Sequence, residues 1–72
     1  MRAGALMIDV INYRGYRLAV GPVGKGWRAL IFSPGSTSAW RDSPTNLEKS
    51  RKEEIIAEAK RIIDVHLSRS RP

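Results

Sequence analysis

The sequence predicts an α+β fold, an antiparallel three- to four-stranded β-meander packed against one C-terminal α-helix. Three observations carry this expectation. Between residues 7 and 41, short β-branched and aromatic runs are separated by breaks containing Gly and Pro, and one run alternates in side-chain character. From residue 51 onward the apolar residues recur instead at spacings of three and four. With 72 residues there is room for one small core, so the helix and the sheet have to cover each other.

The first strand is expected over Met7 to Tyr13, an apolar, β-branched stretch. Arg14-Gly15 breaks it, and the glycine can take the positive φ of a hairpin turn. Tyr16 to Val20 alternates, with Tyr16, Leu18 and Val20 on one face. Gly21-Pro22-Val23-Gly24-Lys25-Gly26 reads as a loop by composition. Its lysine is followed by Gly26 and leads into a strand, so it is not a phosphate-binding loop. Trp27 to Phe32 is the next strand, Ser33-Pro34-Gly35-Ser36 ends it, and Thr37 to Arg41 is expected as a short edge strand. Short connections make a meander the simplest topology.

Ser50 with Glu53 three residues later forms a capping box ahead of an apolar run, and Thr45 with Glu48 is a rival start. At the helical angle, Ile55, Ile56, Ala59, Ile62, Ile63, His66 and Leu67 fall within an arc about 140° wide. Glu53, Glu54, Glu58, Lys60, Arg61 and Asp64 fill the remainder as a solvated charged face. His66 is expected partly buried in the last turn, near the negative end of the helix dipole. The domain is thus expected over 7–67, with a flexible N-terminus at 1–6 and a disordered basic tail at 68–72.

Composition narrows the function classes. Cys is absent and His occurs once. Disulfides, thiolate zinc sites, cysteine nucleophiles and a multi-histidine metal site within one chain are thereby excluded. No metal, no cofactor and no enzymatic activity are expected. No apolar run reaches the roughly 18 residues of a membrane helix. Asp9 cuts short the apolar stretch after Met1, so neither a secretory signal nor a membrane partner is expected, and the expected location is cytoplasmic.

The net charge is +6. Residues 1–41 carry Arg2, Arg14, Arg17, Lys25, Arg28 and Arg41 against the single acid Asp9, whereas residues 51–67 are balanced. The helix needs the most apolar sheet face, which puts Tyr16, Leu18, Val20, Trp27, Ala29 and Ile31 inside. The open face then displays Arg17, Ala19, Arg28, Leu30 and Phe32, flanked by Arg14, Trp40 and Arg41. Arginines beside an exposed aromatic suit phosphate contacts and base stacking. The candidate nucleic-acid-binding residues are therefore Arg14, Arg17, Arg28, Phe32, Trp40 and Arg41, with DNA or RNA as partner. Leu30 and Phe32 on the same face also suit a homodimer or another protein partner.

Tyr13-Arg14-Gly15-Tyr16-Arg17, a glycine loop ending Gly24-Lys25-Gly26-Trp27, and Trp27-x-Ala29-x-Ile31 resemble the DNA-binding domain of plant ethylene-response factors. The amino-terminal domain of phage-type integrases shares the design. Trp40 stands where that family has a third-strand tryptophan, and Glu53-Glu54 through Ala57, Ala59 and Asp64 is similar to its helix. The resemblance covers residues 13–64. It implies a three-stranded sheet on one helix, with the open face entering the DNA major groove. It implies DNA contacts from Arg14, Arg17 and Trp40, and core roles for Trp27, Ala29 and Ile31. Leu30 and Phe32 depart from it, since the family places charged residues there, and Arg41-Asp42-Ser43-Pro44 does not supply its Gly-x-Phe turn. The layout also resembles small antitoxin-like modules and small bacterial domains of no assigned role.

Overall fold

Alternation along the strands decides which side of the sheet is dry. In the computed structural model, which describes residues 8–69, the strands are β1 (Asp9–Tyr13), β2 (Tyr16–Val23), β3 (Gly26–Phe32) and β4 (Thr45–Asn46), followed by the helix α1 (Lys52–Arg69). They form one antiparallel sheet in the order β1-β2-β3-β4. Alternate residues at the centre of β2 and β3 are buried: Tyr16, Leu18 and Val20, then Ala29 and Ile31. Ile55, Ala59 and Ile63, one helical turn apart, close over them. Trp27, Trp40, Ile11, Ile56, Ile62 and Leu67 pack around this centre half-buried. The expected fold class and inner face are therefore observed.

Several boundaries differ from expectation, and others are not described. The expected start of β1 at Met7, the N-terminus at 1–6 and the tail from Ser70 onward lie outside the described residues. Gly21-Pro22-Val23 is not loop. β2 runs on to Val23 and β3 begins at Gly26, leaving Gly24-Lys25 as a tight turn with Gly24 at φ 56°. Composition marked the segment as irregular, but pairing with β3 from Gly21↔Arg28 to Val23↔Gly26 holds it extended. The helix continues through Ser68 and Arg69, beyond the expected boundary at 67.

The expected edge strand at Thr37–Arg41 is a single bridge, Ala39 to Phe32. The regular pairing falls later, at Thr45–Asn46. Between these points the chain still serves the edge of β3. Trp40 N donates to Ile31 O (2.8 Å), Ile31 N to Ser43 Oγ (3.0 Å), Ala29 N to Pro44 O (3.0 Å), and Lys25 N to Leu47 O (3.0 Å). Arg41 and Asp42 turn outward while a side-chain oxygen and a proline carbonyl satisfy the ladder. These bonds occupy the β3 edge without a regular strand.

Ser50 does not cap the helix. Its Oγ is buried and makes no hydrogen bond. Arg51 occupies the cap position, its carbonyl accepting from Glu54 N (3.1 Å) and its N–H lying 3.5 Å from Glu54 Oε1. Only half of a capping box is present, one residue later than expected: Glu54 reaches back to the Arg51 N–H, but an arginine side chain has no oxygen to accept from Glu54 N.

Candidate nucleic-acid interface

The open face is built by register. One row across the sheet is Asn12, Arg17 and Phe32, and the next is Val10, Ala19 and Leu30. The third holds Gly21, Arg28 and Thr45. Ile8 extends this last row, since a Cβ added to Gly21 would stand 3.2 Å from Ile8 Cγ1. The face therefore has an apolar middle with an arginine at each end. Arg17 and Arg28 start from positions four residues apart along the hairpin, about 13 Å. Ile8 is 53% and Val10 62% exposed. These two were the part of the surface that sequence reasoning missed. Alternation in β1 is weak, because the adjacent Val10 and Ile11 are both apolar, and only pairing with Leu18 places Ile11 inward and Val10 outward.

The Arg17 guanidinium carbon lies 5.3 Å from the centroid of the Phe32 ring. Arg17 Nη2 also donates to Ser36 O (3.1 Å). The carbonyl and the ring together hold the guanidinium across the face rather than leaving it to sweep through solvent. Val10, Arg17, Ala19 and Phe32 surround a shallow dip of about 200 Å³. The small Ala19 forms its floor, with Phe32 and Arg17 as one wall.

Of the six candidate residues, the structure brings Arg17, Arg28 and Phe32 together on this face. Arg14 and Trp40 stand on the helix side. Arg14 and Gly15 form the β1–β2 turn, both at positive φ (53° and 87°), as a two-residue hairpin twisted like its strands requires. From there Arg14 Nη1 donates to Asp64 Oδ1 on α1 at 2.7 Å, and Tyr13 Oη donates to the same carboxylate at 2.8 Å. The Arg14 guanidinium, and next the Tyr13 hydroxyl, hold the Asp64 carboxyl below the usual carboxylate range. Asp64, expected on the solvated face, is thus a structural partner.

Trp40 faces the helix for a reason of parity. Ala39 pairs with Phe32 of the open face, so the next residue points to the other side. Its ring meets Tyr16 edge-on with centroids 5.6 Å apart, and its Nε1 donates to Ser33 Oγ at 2.8 Å. His66, expected partly buried, is instead exposed, with its ring 4.8 Å from that of Trp40. Arg41 is exposed in the turn after the Ala39 bridge.

The helix carboxylates have neighbours of their own. Glu58 is bonded to Arg61, while Lys52 pairs with Asp9 and lies 5.8 Å from the centroid of Trp27. A depression of about 490 Å³ is bordered by Asp42, Asn46, Ser50, Glu54 and Glu58. Among the described residues no three His, Asp or Glu side chains gather to hold a metal ion. Among the same residues no helix is long and apolar enough to cross a membrane.

The chain matches no family model, no curated protein and no solved structure.

Proposed function

We propose that this chain is a small basic, non-catalytic module of the cytoplasm that binds nucleic acid on the open face of its sheet. One observation carries the reading, the segregation of charge. The strand positions facing away from the helix hold Arg17 and Arg28 and no acid, whereas Asp9 lies on the helix side and four of the other acids are on α1. An aromatic ring and an anchored guanidinium on the same surface supply stacking and phosphate contact together. Of the three DNA-contacting positions that the resemblance to ethylene-response factors implies, Arg17 is the one standing on this face.

The test is a salt titration of binding to DNA and RNA. Log K should fall linearly with log salt. Arg17→Ala and Arg28→Ala should each make the slope shallower by about 0.7–0.9, the contribution of one neutralised phosphate. Arg61→Ala, on the helix and paired to Glu58, should leave it unchanged. A folded protein with no salt-sensitive binding to any DNA or RNA overturns the proposal.

The exposure of Ile8 and Val10 favours a second reading, in which the same face joins two copies of the chain or meets another protein. Sedimentation separates the two. A dimer dissociated by Phe32→Glu supports self-association, and a strict monomer at high concentration rejects it.

A further inference from the structure

We infer that the open face takes unpaired nucleotides in preference to duplex, with a base seated in the dip between Val10, Ala19 and Phe32 and its phosphate against Arg17. This rests on the proposed nucleic-acid function and narrows its ligand.

The argument is one of matching polarity. A duplex presents its grooves to a protein as rows of donors and acceptors on base edges, read by polar side chains. The centre of this face cannot answer them. Its middle row is Val10, Ala19 and Leu30, and Phe32 and Ile8 stand beside it. Pressing base edges onto these groups would strip water from donors and acceptors without replacing their hydrogen bonds. The polar groups at the ends, Asn12 and Arg17 with Arg28 and Thr45 opposite, are separated by that apolar middle.

An unpaired base offers a different surface. Its π-face is apolar and stacks on aromatic rings and on guanidinium planes. Both are present at one wall of the dip, Phe32 with Arg17 packed over it at 5.3 Å. The floor is low because Ala19 is small, and the dip, about 200 Å³, is open to solvent on the side away from the sheet. Arg17 serves twice: its plane extends the stacking surface, and its remaining N–H groups face the backbone of the nucleotide. Arg28, about 13 Å away along the hairpin, gives a second grip on the same nucleic-acid strand, with Ala19 and Leu30 between them and the exposed Ile8 and Val10 alongside on the β1 edge.

The experiment compares a short mixed-sequence DNA strand, and the RNA strand of the same sequence, with the duplex each forms with its complement, at one fixed salt concentration. The single strands should bind at least about tenfold more tightly than the duplexes. Phe32→Leu, which keeps an apolar group of similar size, should remove about tenfold of single-strand affinity and little of duplex affinity. Val10→Glu, at a position already 62% exposed, tests the other wall and should weaken single-strand binding if the Phe32 variant fails to fold. Equal or tighter duplex binding overturns this inference while leaving the proposed function standing. Tighter single-strand binding that neither variant alters places the base elsewhere and overturns the site. Binding to neither form overturns the proposed function, and this inference with it.

Discussion

Arg14 Nη1 lies 2.7 Å from Asp64 Oδ1, which ties the tip of the first hairpin to the C-terminal half of a helix fifty residues further along the chain. The contact removes one arginine from the surface available to a polyanion. It also fixes how the helix lies across the sheet, because Tyr13 donates to the same carboxylate from the end of β1.

This cluster gives stability a pH dependence at both extremes. The Asp64 carboxyl is depressed below its ordinary value of 3.8, first by Arg14 and then by Tyr13. Its contribution is therefore complete above that pH and is lost as the pH falls through the depressed value. The Tyr13 hydroxyl is raised above 10.0, chiefly by its bond to Asp64. Its contribution is present below pH 10 and is lost as the pH rises beyond it. Thermal melts of Asp64→Asn and the unsubstituted chain should differ modestly at neutral pH, since these groups are solvent-exposed. The difference should close in acid. A gap that persists undiminished at low pH would refute the linkage.

Ile63 is fully buried at the centre of the helix–sheet contact. Ile63→Ala should lower stability by about 2–5 kcal/mol, and Ile63→Val by about 0.5–1.5 kcal/mol. A domain of this length has a total stability of that same order. Denaturant titration should accordingly find the alanine variant largely unfolded and the valine variant folded.

Ser50 provides a test with an unusual sign. A capping serine replaced by alanine loses about 1 kcal/mol. Here Ser50 Oγ is buried without a hydrogen bond, so Ser50→Ala should be neutral or slightly stabilising. A clear loss in Tm would mean that the hydroxyl caps the helix after all.

Gly26 is the position where a side chain is least tolerable. An added Cβ would overlap the carbonyl oxygens of Asn46 and Glu48, both backbone atoms of the segment paired with β3. Gly26→Ala should destabilise by about 3 kcal/mol or more and free β4 from the sheet. Amide hydrogen exchange at Lys25 and Ala29, whose N–H groups donate to Leu47 and Pro44, should speed up first.

Local pattern was enough to determine the first three strands, the meander, the amphipathic helix and the buried set Tyr16, Leu18, Val20, Ala29, Ile31, Ile55, Ala59 and Ile63. Period-two and period-3.6 spacings of apolar residues are properties of neighbouring positions, and a single small core leaves one way to satisfy both. Arg17, Arg28 and Phe32 were legible as open-face residues for the same reason. What lies beyond a break in periodicity was decided only by the tertiary structure. Whether Trp40 points in or out depends on how many residues Ser33 to Ser38 consume before Ala39 meets Phe32, and a change of one would reverse it. Whether Arg14 is free depends on Asp64 arriving beside it from the other end of the chain. Composition records neither, because both are set by register and helix placement, which become fixed only when distant segments pack.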